Sequence, residues 1–228
     1  MREIKFFSKI NVPVLIYIFL FFIPLSLISG PFLPDLMTSI ISILVIFFCL
    51  KNKNRFYLSN KFLIIFLIFY FLLLISSLLS TNIIFSLSSS LFYFRFFFLS
   101  IGIWIVLEKL NSKYLLLSIT LPFIFLFGDS TFQYFYGYNI LGFPIAEQYR
   151  ISSFFGDELK MGSYVSRFLP ILLCLALFYS STAKINNVLI ILIILPSFIL
   201  VLLSGERSAL GMTSLIIFFF IIYISKHS

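Results

Sequence analysis

Charge is what this chain has least of. Lys, Arg, Asp and Glu together make up 11% of its 228 residues, while 61% of the residues are hydrophobic. A soluble domain of that length needs far more polar surface to cover itself, so a soluble globular fold is excluded. Histidine occurs once, as His227. Cysteine occurs twice, as Cys49 and Cys174, and no CxxC is present, so neither a zinc site nor a redox pair is indicated. No P-loop, no HExxH and no Rossmann glycine pattern occurs, and no cofactor or metal is expected.

What the chain does have is long apolar runs. Stretches without charge cover 10–34, 36–50, 62–94, 96–107, 114–128, 168–183, 185–205 and 208–225. A hydrocarbon core about 30 Å thick takes roughly 20 apolar residues at 1.5 Å each. Most of the runs suit one crossing, and 62–94 is long enough for most of two. The runs lack the alternation of a β-barrel, so the fold expected is all-α, a polytopic bundle of about eight transmembrane helices forming one integral membrane domain over 1–228. The helices are expected near 12–29, 36–50, 62–79, 91–107, 114–128, 163–181, 186–203 and 207–225. The least marked boundary is the segment "STNIIFSLSSS" at 80–90, which is read as a connection for its serines, Thr81 and Asn82, and because omitting it inverts every later loop.

The few charges are segregated. With the N-terminus in the cytoplasm, that side holds Arg2, Lys5, Lys9, Lys51, Lys53, Arg55, Lys61, Lys109, Lys113, Lys184 and Lys226 against Glu3 and Glu108. The outer side holds Arg95, Arg150, Lys160, Arg167 and Arg207 against Asp35, Asp129, Glu147, Asp157, Glu158 and Glu206. This distribution obeys the positive-inside rule at every cytoplasmic loop. The net charge of +8 is thus a topology signal, and no nucleic-acid partner is expected. A cleaved signal peptide is disfavoured, since the first apolar run is long for an h-region and lacks an A-x-A site. No cluster of cytoplasmic carboxylates offers a nucleotide–metal site.

One outer connection, 128–162, is longer than the rest. Long irregular connections in compact proteins are functional or disordered. This one carries Tyr134, Phe135, Tyr136, Tyr138, Phe143, Tyr149, Phe154 and Phe155, too many aromatics for a disordered segment. Such rings belong at a membrane interface and also stack on sugars.

Arg207 follows Gly205 and Glu206 and opens the last helix. A helix N-terminus favours an anion, and a guanidinium there adds a planar fork suited to phosphate. A plain Glu206–Arg207 pair facing lipid headgroups is the simpler alternative. Arg150 precedes Ser152 and Ser153. Asp157 and Glu158 stand just before a helix, where capping is the ordinary role of an acid. Arg167, in the first turns of that helix, either snorkels outward or faces a cavity. Arg95 lies at a similar depth. Four arginines near one face point to an anionic ligand there.

Two segments, "RISSFFGDELKMGSYVSRFLPILL" from Arg150 and "LLSGERSALGMTSLIIFF" from Leu202, together resemble the O-antigen ligase and polymerase family of bacterial inner-membrane proteins. The first is similar to its Arg-x-x-(small)-Phe-x-(Asp/Asn) element leading into a helix with a Pro. The second is similar to its Ser-Gly-(Ser/Glu)-Arg-(Ser/Gly)-Ala element opening the next helix but one. The resemblance implies metal-independent glycosyl transfer on the periplasmic face of the inner membrane. The donor would be an undecaprenyl-pyrophosphate-linked glycan, and the acceptor a lipid or another glycan. It implies a catalytic role for Arg207 and, through a looser match, substrate binding by Arg150; Arg167, Glu206 and Asp157, on the same face, are the further substrate-binding candidates. Ligase and polymerase are not separated by these residues.

Members of that family are longer, with a larger outer loop beyond this point that carries further arginines and a His. His227 falls on the cytoplasmic side and is not that residue. The resemblance therefore implies that 1–228 is the N-terminal part of a longer protein. A transporter or flippase for an anionic lipid or solute is the alternative. It is less favoured because no inverted repeat is visible and the charges sit at the outer face instead of mid-membrane.

Overall fold

The computed structural model describes residues 11–52, 61–109, 113–145, 150–180 and 187–227. Much of the basic signal used for topology, namely Arg2, Lys5, Lys9, Lys53, Arg55 and Lys184, lies outside them, as do Glu147 and Tyr149. The described residues are helical, with no β-strand beyond one isolated bridge between Tyr138 and Pro144. The helices are α1 Val12–Ser26, α2 Phe32–Asn52, α3 Lys61–Leu78, α4 Ile83–Leu91, α5 Phe94–Lys109, α6 Lys113–Tyr136, α7 Met161–Ser180, α8 Asn187–Ser204 and α9 Arg207–His227.

The all-α membrane architecture expected from composition is present. Six helical spans among the described residues are long and apolar enough to cross a bilayer: Val12–Ser29, Phe32–Lys51, Ile83–Glu108, Tyr114–Tyr136, Met161–Phe178 and Arg207–Lys226. Leu63–Leu78 and Ile190–Ser204 are shorter apolar helices. Their surfaces explain the composition. Ile65, Ile68 and Phe71 on α3 are exposed, as are Leu215, Phe218, Phe219 and Ile222 on α9. A helix apolar all round suits lipid, not water. Pro24, Pro122, Pro170 and Pro196 lie inside helices. Transmembrane helices tolerate such positions because neighbouring groups take up the freed carbonyls. Tyr164 ties the end of α1 to α7, its hydroxyl donating at 2.7 Å to the Pro24 carbonyl, one of the last carbonyls of α1.

Two boundaries differ from expectation. The serine-rich segment at 80–90 is not an open connection, because α4 occupies Ile83–Leu91. Helix α6 does not stop near 128 but runs through Gly128 and Asp129 to Tyr136, so the long connection loses its first two turns to helix.

The chain packs as two compact units, Met1–Ile23 with Pro31–Leu110, and Pro24–Gly30 with Asn111–Ser228. In the first, α2 packs on α5, where Ile41, Ile101 and Ile105 are fully buried and Gly102 admits the side chains of Ile41 and Val45. Arg95 pairs there with Asp35 at 2.8 Å, and Ser42 donates to the Arg95 carbonyl. In the second, α7 packs on α6, α8 and α9 around Leu126, Val165, Leu172 and Leu200. The two motif-bearing segments belong to this second unit.

Candidate functional site

The site grows from a turn between two helices. Helix α8 ends at Ser204, and Gly205 adopts the left-handed conformation, φ +64°, with its N–H donating to Leu202. A glycine in that position ends a helix without the steric cost of a Cβ. Glu206 follows, and its carbonyl accepts the N–H of Leu210 in the first turn of α9. The interruption of the apolar run at Gly205–Glu206–Arg207 is thus a tight helix-to-helix turn.

Two other segments are bonded to this turn. The N–H of Ile151 donates to the Leu203 carbonyl at 3.1 Å. The Nε of Arg150 donates to the Ser204 carbonyl at 3.0 Å. The aliphatic stem of Arg150 lies directly over Gly205, where a Cβ would meet its Cγ at 3.1 Å. A side chain at 205 would be strained at this φ and would press on the Arg150 stem. Glu206 reaches the start of α7. Its Oε1 accepts the Gly162 N–H at 2.8 Å, and its Oε2 accepts the Ser163 N–H at 3.1 Å and the Ser163 hydroxyl at 2.5 Å. These are free N–H groups of a helix N-terminus, which a carboxylate suits by hydrogen bonding and by charge. Gly162 is what allows the approach, since a Cβ there would overlap the Ser204 hydroxyl.

This arrangement brings Arg150 and Glu206 together at one turn and separates the other candidates by role. Arg207 is the first residue of α9 and is exposed. Arg167 is exposed on α7, and Asp157 is exposed in the preceding loop. Glu158 pairs with Lys160 at 2.8 Å. The acid that caps α7 is Glu206, from 44 residues further along the chain, and not Asp157 or Glu158 just before the helix. The Glu206 carboxylate is occupied by that cap. Among the described residues, Arg150 uses only its Nε, and the Arg207 side chain has no hydrogen bond or ion pair. No described residue bonds their terminal N–H groups, Arg150 being half-buried and Arg207 exposed. Among the described residues, no group of three or more His, Cys, Asp and Glu is placed to hold a metal.

Below the turn lies a polar cluster that sequence reasoning did not single out. Asp129, Gln133, Asn139 and Ser153 are at most 1% exposed. Ser153 is held in the left-handed region, φ +53°, by bonds to all of its polar groups. Its N–H donates to Gln133 Oε1 at 2.7 Å, its hydroxyl to Asp129 Oδ2 at 2.5 Å, and its carbonyl accepts from Asn139 Nδ2 at 2.7 Å. Asp129 Oδ1 also accepts the Ile140 N–H at 2.9 Å. A non-glycine residue in this region is strained, and such strain persists where surrounding bonds over-determine it. The cluster fixes the backbone three residues beyond Arg150. Its one signal in sequence is the i, i+4 spacing of Asp129 and Gln133, which puts both on one helix face.

A cavity of about 140 Å³ lies between α6, α7 and α8 and is lined almost wholly by apolar side chains. Its two hydroxyls, of Thr120 and Ser197, are bonded to carbonyls of their own helices. It offers no polar group to a reacting centre.

No protein-family model, curated protein or solved structure matches this chain.

Proposed function

We propose that the chain carries part of the site of a membrane glycosyltransferase of the O-antigen ligase or polymerase type. On this reading it acts on an undecaprenyl-pyrophosphate-linked glycan at the periplasmic face of the bacterial inner membrane. The observation that carries the proposal is the bonded turn. The two segments that resemble the family's motifs lie more than 50 residues apart, and the Arg150–Ser204 and Ile151–Leu203 bonds join them. In the transfer, the bond from the anomeric carbon to the pyrophosphate oxygen breaks as an acceptor hydroxyl oxygen attacks, and the hydroxyl proton is given up to water or to the departing pyrophosphate. Negative charge accumulates on the leaving phosphate. Preorganised cationic donors act on charge that develops in this way. Arg150, held through its Nε, supplies one such donor, and Arg207 at the start of α9 adds a second, untethered cation, with Glu206 engaged in holding the turn. Arg167 and Asp157 are more peripheral contacts for the substrate.

The test is glycan assembly in cells carrying the gene with Arg207→Ala or Arg150→Ala, with membrane abundance followed in parallel. Lipid-linked glycan that is neither polymerised nor transferred, at normal protein abundance, supports the proposal. Normal glycan from both variants ends it.

A further inference from the structure

Helix α6 is 24 residues long, about 36 Å at 1.5 Å per residue, against a hydrocarbon core of about 30 Å. With the charged Lys113 at one boundary and little tilt, a helix of this length ends in the headgroup layer at the other. The chain then reverses at Gly137, φ +83°, into a small hairpin. The Asn139 N–H donates to the Phe143 carbonyl at 2.9 Å, the Ile145 N–H to the Gly137 carbonyl at 2.9 Å, and Tyr138 bridges Pro144.

This hairpin is built inside out for a loop standing in water. Its polar side chains, Asn139 together with Asp129 and Gln133 on α6, are turned inward. Its outer surface carries Phe135 at 74% exposure, with Ile140 and Leu141 at the tip at 65% and 64%. Tyr134, Tyr136 and Tyr138 flank them, exposed. Residues 130–146 contain no charge, and Asp129 is 1% exposed, so the hairpin presents none to its surroundings. The turn has the usual Asn139 and Gly142 at its corners, joined by the Gly142 N–H to the Asn139 carbonyl, but its two apical residues are Ile and Leu where a turn in water favours polar ones. Aromatic rings with an apolar body and a polar end collect at the headgroup boundary.

We infer that the hairpin at the end of α6, residues 134–143, is an anchor embedded in the lipid headgroup–acyl boundary of the leaflet where α6 ends. Its continuity with a spanning helix sets its depth, and its lack of exposed charge lets it enter lipid without desolvating an ion. The anchor also sets the height of the Arg150 segment above the bilayer, because Asn139 and Asp129 tie the hairpin to Ser153. This inference stands apart from the proposed chemistry and needs only that α6 span a membrane.

The test is fluorescence depth measurement on the full chain in vesicles of phosphatidylethanolamine and phosphatidylglycerol. Trp104 is first replaced by Phe, since it is the single tryptophan. Leu141→Trp, and Tyr138→Trp in case the first variant does not fold, then report the hairpin, while Asp157→Trp reports a charged loop position. The expected result is a blue-shifted emission from the hairpin probe, with at least a twofold loss of intensity in lipid brominated on its acyl chains. Asp157→Trp should lose little intensity. A hairpin probe that emits as in water, is quenched by aqueous iodide and is unaffected by brominated lipid overturns the inference. That outcome would leave the rings facing solvent, as a sugar-stacking surface requires.

Discussion

Glu206 caps α7 from 44 residues beyond Gly162, whose backbone N–H it accepts at 2.8 Å. The pair makes one structural device of two motif segments. A charge-assisted hydrogen bond contributes about 1.5–3 kcal/mol, and an N-cap about 0.5–2 kcal/mol. Glu206 is partly exposed, so the lower part of these ranges applies. We expect Glu206→Ala to destabilise the second unit by about 1–2 kcal/mol, with Glu206→Gln falling between it and the native residue. Thermal unfolding in detergent or nanodiscs measures this. Unchanged stability in Glu206→Ala would show that the carboxylate serves something other than the cap.

Gly162 and Ser204 make the second case. A Cβ at Gly162 overlaps the Ser204 hydroxyl and sits 3.1 Å from Ala209 Cβ. Overpacking of this kind costs about 1–3 kcal/mol. Gly162→Ala should therefore destabilise the protein, and adding Ser204→Ala should restore part of the loss. A double-mutant cycle reads the coupling, which should be favourable and at least about 0.5 kcal/mol. Strict additivity of the two changes would place the clash elsewhere.

Much of the architecture was legible in the sequence, because in lipid the length of an apolar run decides the element. The errors have local physical causes. Serines at 80–90 read as a connection, since serine competes for backbone hydrogen bonds. In the structure Ser88 donates to the Phe85 carbonyl and Ser90 to the Ser86 carbonyl, inside the helix. Asp129 read as the start of a loop because a charge ends an apolar run. Its partners, Ile140 and Ser153, come from the very connection it seemed to open. The motif residues were visible one by one. The cap by Glu206 was not, because hydrogen bonds between distant segments leave no spacing in the sequence.

The strained Ser153 yields an ordering of variants. Ser153→Ala keeps the left-handed backbone and loses the bond to Asp129, leaving a buried carboxylate oxygen unsatisfied at about 1–3 kcal/mol. Ser153→Gly loses the same bond but relieves strain of about 1–2 kcal/mol. Ser153→Gly should thus be the more stable of the two. Asp129→Ala, which strands both the Ile140 N–H and the Ser153 hydroxyl, should be worse than either. Relative unfolding temperatures check the order, and a Ser153→Ala protein as stable as Ser153→Gly would remove strain from the account.

The orientation proposed from the positive charges puts Lys51 and Lys226 in the cytoplasm and Asp157 outside. In a background lacking Cys49 and Cys174, a membrane-impermeant thiol reagent added to intact cells should label Asp157→Cys. It should label Lys51→Cys and Lys226→Cys only after lysis. The opposite pattern inverts the chain and withdraws the periplasmic site along with it.

The last expectation separates charge from geometry at the two arginines. Arg150 is tethered through Nε to the Ser204 carbonyl, and no described residue bonds its terminal N–H groups. Lysine has no donor at the Nε position and no fork, so Arg150→Lys loses the tether and the bidentate fit together. Arg207 has no such tether, and Arg207→Lys loses only the fit. If both hold the leaving pyrophosphate, Arg207→Ala should lower glycan assembly by about 10²–10³, the usual effect of removing one preorganised donor from a developing oxyanion. Arg207→Lys should fall between Ala and the native residue, and Arg150→Lys should be nearly as poor as Arg150→Ala. Unfolding temperatures distinguish this from simple damage, since Arg207 is exposed and its replacement should leave stability unchanged. A headgroup anchor behaves differently: lysine serves it as well as arginine, and glycan output stays normal in all four variants.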